Sequence, residues 1–308
     1  MTTQPSVTPN FSAIKTRQQQ AWGAGDISVI ASPLVGMAEN LCEAVELRAG
    51  QKVLDIATCT GNVAIAAARR YCEVTGIDYV ASFIERARER AAVERLPITF
   101  LEGDAEDLPF PDASFDAVLS TLGVMFAPNQ EQAASQLVRV CRPGGKIGLI
   151  NWTPEGFFGK MGKVMAAYTP PPPGLKPPAL WGTESYVGTL LGAEVTSLQT
   201  KKGYFVHLYR SLEHALEVTC NYFGPAVTAL QTLAPDAREQ LKHDIRMLFE
   251  QENQASDGTV VVPSEYLEVI AVRRGRLGEG ASDVGCMACN AGGSLWATGW
   301  RGLGMSTP

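Results

Sequence analysis

Lys52-Val-Leu-Asp-Ile-Ala-Thr-Cys-Thr-Gly-Asn62 is a short apolar strand signal that runs into a tight turn of small residues. Val63 to Ala68 follows without a charge and with four alanines, so a helix is predicted over Asn62 to Arg70. Strand, small turn and helix start form one unit, in which backbone N–H groups can approach a ligand. The same rhythm continues outward. Glu73-Val-Thr-Gly-Ile-Asp78 reads as a second strand, and Ala81 to Glu94 as a helix with Ile84, Ala87 and Ala91 on one face. Ile98 to Leu101 and Phe115 to Ser120 are the next strands. Glu131 to Cys141 is a helix with Ala133, Ala134, Leu137, Val138 and Cys141 at helical spacing. Arg142-Pro-Gly-Gly145 stops it before a fifth strand, Lys146 to Ile150. Strands alternating with helices imply an α/β, doubly wound sheet with parallel pairing and right-handed crossovers.

Beyond Trp152 the rhythm changes. Gly156 to Tyr168 reads as a helix, and Pro170 to Pro178 as a stiff extended segment. A strand over Gly203 to Tyr209 precedes two helical stretches, Leu212 to Leu230 and Asp236 to Gln251. The second carries Leu241, Ile245, Leu248 and Phe249 on one side. Glu265 to Val272 reads as a last strand. The expected organisation is one domain over residues 1–274: a lid at 11–50, a ligand-binding core at 51–152, a cap at 153–262 and a final strand at 265–273. After Arg274 the periodicity ends, and residues 275–308 hold nine of the 30 glycines. That segment is expected to be a disordered tail. Its Cys286-Met-Ala-Cys289 lacks the second ligand pair that a structural zinc site needs, so no metal is expected.

The chain has 308 residues, with 26 Lys+Arg against 32 Asp+Glu, a net charge of -6. A protein built to grip nucleic acid leaves a basic footprint, so no nucleic-acid partner is expected, nor an anionic membrane. Met1 to Phe11 is polar, with no basic start followed by an apolar run, which argues against a secretory signal. The seven cysteines show no disulfide-framework spacing. A reduced, cytoplasmic protein is the expectation.

Three consecutive strands end at or near an acid: Asp55, Asp78 and Asp104. In an open parallel sheet, ligands bind beyond the carboxyl ends of the strands, and an acid at the second tip can accept both hydroxyls of a ribose. Asp104, in Glu102-Gly-Asp-Ala105, is placed to accept from an adenine amino group, with the Ala105 N–H facing a ring nitrogen. The turn lacks the G-x-G-x-x-G of a dinucleotide site, and acidic neighbours would repel a pyrophosphate. A cationic adenosyl ligand suits them better.

Together these segments resemble the class I S-adenosylmethionine-dependent methyltransferases. Val53 to Asn62 is similar to their motif I, and Gly76-Ile-Asp78 to their acidic second-strand motif. Gly103-Asp-Ala-Glu-Asp-Leu-Pro-Phe110 resembles their adenine-binding segment. Ser114-Phe-Asp-Ala-Val118 and Arg142-Pro-Gly-Gly145 resemble the motifs at the fourth strand and before the fifth. Gln18 to Trp22 with Gly25-Asp26 resembles the lid helix of the branch that includes quinone-type and other small-molecule methyltransferases. The resemblance implies a Rossmann-like, mostly parallel seven-stranded sheet with an antiparallel last strand and a helical cap, and S-adenosyl-L-methionine as cofactor. It implies that Asp55, Ala57, Thr58 and Gly61 line the methionine half, and that Asp78, with Tyr79 beside it, holds the ribose. Asp104 and Ala105 would hold the adenine, and Ser120 and Thr121 would sit near the sulfonium.

Cys59 departs from the family, which usually has Gly there. If this position needs φ > 0, a side chain costs about 1–2 kcal/mol and crowds the cofactor's tail. Weakened cofactor binding is therefore expected, and a catalytically impaired binding or regulatory protein is one alternative function. A nicotinamide-dependent oxidoreductase is a further alternative, disfavoured by the missing glycine pattern. No triad is visible. Of the three histidines, His207 is the least poor candidate base. After the fourth strand stands Ser120-Thr-Leu-Gly-Val-Met-Phe126 rather than the Asn/Asp-Pro-Pro-aromatic motif of nucleic-acid amino-methyltransferases, which favours a small-molecule acceptor. Phe157, Phe158, Met161, Met165, Tyr168, Trp181, Tyr222 and Phe223 offer an apolar, aromatic lining for it.

Overall fold

Apolar runs that are buried on both faces dictate a central parallel sheet. The computed structural model describes residues 9–275. Three helices lead: α1 (Phe11–Gly23), α2 (Ile27–Ala31) and α3 (Val35–Ala44). The alternating core follows as β1 (Lys52–Ile56), α4 (Asn62–Ala68), β2 (Glu73–Asp78), α5 (Ala81–Val93), β3 (Ile98–Glu102), β4 (Phe115–Thr121), α6 (Gln130–Val140) and β5 (Cys141–Trp152). Then come α7 (Phe157–Tyr168), α8 (Glu184–Leu191), β6 (Val195–Tyr209), α9 (Leu212–Tyr222), α10 (Gly224–Thr232), α11 (Pro235–Glu252) and β7 (Val260–Arg273). The tail from residue 276, with its Cys286 and Cys289, lies outside the described residues.

The seven strands form one sheet in the order β3-β2-β1-β4-β5-β7-β6. β7 runs antiparallel to both its neighbours, while β1 to β5 pair in parallel. This is the expected Rossmann-like sheet with an antiparallel last strand. The helix faces read from spacing are the buried ones: Ile84, Ala87 and Ala91 on α5, Leu137 and Val138 on α6, and Leu241, Ile245 and Phe249 on α11. α4 is buried from Val63 to Ala68, and its four alanines let it pack closely.

The region after β5 departs from expectation in three ways. Helix α8 has no counterpart in the expected elements. The stretch Leu212 to Leu230 is not one helix but breaks at Phe223. A Cβ on Gly224 would stand 2.3 Å from the Ala21 carbonyl oxygen, and Pro225, which lacks an N–H, sits in the first turn of the second helix. β6 and β7 are also longer than Gly203 to Tyr209 and Glu265 to Val272. β7 pairs with β5 only from Tyr266 to Val272, but with β6 along its whole length. The outer part of this ribbon therefore overhangs the sheet. It packs with α7, α9 and α11 around a second core of Phe157, Met161, Ala215, Phe249 and Val262, and this is the cap.

Candidate cofactor site

The first strand fixes Asp55, and the turn after it folds back over that side chain. Asp55 is 1% exposed, and its Oδ2 accepts from the Thr58 hydroxyl at 2.5 Å and the Ala64 N–H at 2.9 Å. Burial raises its pKa to about 7, against the pull of those two hydrogen bonds. Three residues of the turn are left-handed: Ala57 at φ +52°, Cys59 at +51° and Gly61 at +84°. Glycine suits the third place, where a Cβ would also stand 3.2 Å from the Phe100 ring. Ala57 and Cys59 hold this conformation at a steric cost, as residues at functional turns often do.

Asp78 ends β2 and is equally well held. Its carboxylate accepts from the Cys59 N–H at 2.9 Å and the Val80 N–H at 3.0 Å. Burial raises its pKa to about 6, although backbone N–H groups favour the charged form. Asp104 lies beyond β3. Its Oδ1 accepts from the Glu106 N–H, and its Oδ2 meets Lys15 Nζ of α1 at 2.6 Å. Lys15 also reaches Glu106 at 2.9 Å. Burial works against the lysine's charge, but the two acids outweigh it and raise its pKa.

One cleft brings most of the expected residues together. Asp55, Ala57, Thr58, Cys59, Asp78 and Tyr79 line its floor, and Asp104, Ala105 and Thr121 its side. Thr121 Oγ1 is buried there without a hydrogen-bond partner. Gly61 and Ser120 are not part of the lining. Gly61 serves the turn, and the fully buried Ser120 donates to the Ile56 carbonyl at 2.7 Å and accepts from the Val124 N–H. Ser120 thus ties β4 to β1 rather than facing a ligand.

Beyond the lid stretch Gln18 to Trp22, the sequence singles out no residue of the roof. Lys15, Trp22, Ile27, Ile30 and Phe126 also line the cleft. Trp22 stands edge-on to Phe126 and Phe223, with ring centroids 4.9 and 5.7 Å away. Gln19 donates to the Tyr79 carbonyl, so α1 is pinned to the tip of β2. His207, on the overhanging ribbon, borders the same cleft. It is neutral: burial lowers its pKa to about 4.

Comparison with known proteins places this architecture. A family model described as a methyltransferase domain matches residues 54–149. An uncharacterized protein of Mycobacterium tuberculosis is 40% identical over 222 residues, covering 71% of this chain and 81% of that protein. Demethylmenaquinone methyltransferase of Deinococcus radiodurans is 41% identical over 113 residues, 35% of this chain and 47% of that enzyme. The crystal structure of the YcgJ protein from Bacillus subtilis shares the fold, with a TM-score of 0.56 at 20% identity over 78% of this chain and 99% of its own. The chain belongs to the class I S-adenosylmethionine-dependent methyltransferase family.

Proposed function

We propose that the protein transfers a methyl group from S-adenosyl-L-methionine to a small apolar or aromatic acceptor. One observation carries the reading. The cleft that gathers Asp55, Asp78, Asp104 and the unpartnered Thr121 hydroxyl continues directly into an aromatic wall of Trp152, Phe158 and Phe223. The orphaned hydroxyl and the two buried acids suit a polar, cationic ligand, and the aromatic wall suits its acceptor.

When bound, the cofactor supplies an activated methyl on a cationic sulfur, which an aligned nucleophile takes by direct in-line displacement. Asp78 accepts from the ribose hydroxyls. Ala105 meets the adenine ring, and Asp104 shares its carboxylate between Lys15 and the adenine amino group. Ala57, Thr58 and Cys59 would flank the methionine half, and Thr121 would stand near the sulfonium. Asp55 acts from beneath, by holding the turn. The lid residues Trp22 and Ile30 exclude water. No base is required of His207. The same reading has no nucleic-acid or membrane partner and a cytoplasmic location. Among the described residues no helix is long and apolar enough to cross a membrane.

A second reading is favoured by Cys59 at φ +51°, where the family usually has glycine: a relative that binds the cofactor but turns it over poorly. Thermal-shift measurements with S-adenosylmethionine, S-adenosylhomocysteine and NAD test the cofactor. Stabilisation by the first two and not by NAD is expected, and stabilisation by NAD alone refutes the proposal. Release of S-adenosylhomocysteine across a panel of aromatic acceptors separates an active enzyme from the impaired relative.

A further inference from the structure

A second cavity, of about 330 Å³, lies between the lid and the overhanging ribbon, a size suited to a small ligand. It is distinct from the cofactor cleft but shares one wall with it, made by Ile30, Phe158, His207 and Phe223. Its surroundings are almost wholly apolar. Phe157, Met161, Phe205, Tyr209 and Phe249 add aromatic and thioether lining, and the Thr219 hydroxyl donates to the Ala215 carbonyl.

His207 is the exception in that wall. Its ring stands among aromatic rings, with centroids at 4.7 Å to Phe205, 5.2 Å to Phe158 and 6.0 Å to Trp152. Its Nε2 is buried and has no hydrogen-bond partner. A buried polar atom without a partner costs free energy, so its retention in an otherwise hydrocarbon wall calls for an occupant that pairs with it. Strand geometry explains the placement. His207 lies opposite Val262, on the part of β6 that extends past the sheet, and alternates with the exposed Val206 and Leu208.

We propose that the second cavity is the acceptor pocket and that His207 is its specificity-determining residue, selecting a flat apolar molecule that carries a hydroxyl group. This rests on the methyltransferase reading of the neighbouring cleft. The hydroxyl follows from the chemistry of the partner. The imidazole is neutral in this setting, so each ring nitrogen is either a donor or an acceptor, and a hydroxyl satisfies both cases. A carboxylate would instead draw a proton onto a ring enclosed by Phe157, Phe158 and Phe205, where a charged pair is poorly solvated. The shared wall puts a molecule so anchored next to the cofactor cleft, with Phe158 and Phe223 against its faces.

The test uses the full chain and two probes of equal shape, 4-propylphenol and 4-propyltoluene, with affinities measured by calorimetry. The quantity read is the ratio of the two affinities. In His207→Phe, which keeps the ring packing and removes the nitrogens, that ratio should fall about tenfold in disfavour of the phenol. His207→Gln should restore part of it and guards against a variant that misfolds. A ratio unchanged within twofold in both variants, or a wild-type protein that binds neither probe, overturns the proposal. Calorimetry with S-adenosylmethionine on the same sample is the separate check. A shifted phenol ratio without cofactor binding sinks the methyltransferase reading and leaves the hydroxyl-selective pocket standing.

Discussion

Replacing Asp55 by Asn removes a charge from beneath the cofactor cleft while keeping an acceptor for Thr58 and Ala64. Its carboxyl has a pKa of about 7 in the folded protein, raised chiefly by burial. In the unfolded chain the value is about 3.9. The native state therefore holds a proton that the unfolded state releases, and the contribution of Asp55 to stability is fully present below about pH 4 and lost as pH rises toward 7. Linkage between these two values makes the loss about 1–2 kcal/mol at pH 5 and about 4 kcal/mol at pH 8. Asparagine does not titrate. The stability of Asp55→Asn relative to wild type should consequently rise by about 2–3 kcal/mol between pH 5 and pH 8. Whatever the amide costs in weaker hydrogen bonds is the same at both pH values and cancels. Asp78, raised to about 6 by burial, titrates in both proteins and leaves the difference largely untouched. Urea unfolding of the ligand-free proteins at pH 5, 6.5 and 8 measures it. A difference flat with pH within about 0.5 kcal/mol, or one that falls, refutes the account of Asp55 as a buried, reluctantly ionised acid.

Two further perturbations probe the turn and the lid. Cys59→Gly relieves a left-handed side chain costing about 1–2 kcal/mol, but gives up thiol packing against Ile27, Val80 and Phe83 and gains chain entropy on unfolding. Folding stability should stay within about 1 kcal/mol, while S-adenosylmethionine affinity by calorimetry should rise about fivefold; equal affinity in both forms sinks the crowding argument. Lys15→Met leaves Glu106, 5% exposed, with the Asn129 N–H and without its cation. A loss of about 1–3 kcal/mol, with faster amide exchange in α1 first, is expected, and unchanged exchange there would show that Lys15 does not hold the lid.

The parts of the site that were legible in the sequence are those built by local rules. Asp55, Asp78 and Asp104 could be placed because each follows an apolar run whose length fixes a strand, and a strand end fixes a position above the sheet. Gly61 was legible as a turn residue for the same reason. The break before α10 was written in Gly224-Pro225, but helical spacing on both sides concealed it. Ser120 and Thr121 show a limit of motif reasoning. Successive residues of a strand face opposite sides, so only one could reach the cleft. Thr121 does so, while Ser120 bonds to the Ile56 carbonyl. Lys15 was out of reach because its partners lie 89 and 91 positions away and nothing local marks a lysine on a polar helix. The length of β6 was hidden because its first half, Thr196 to Lys202, is largely polar at the edge of the sheet, where one side needs no apolar residues. That hidden length matters most for function. Still paired with β7, it carries Phe205, His207 and Tyr209 past the last β5–β7 pair and into the cap, so the proposed acceptor pocket depends on how far one edge strand extends.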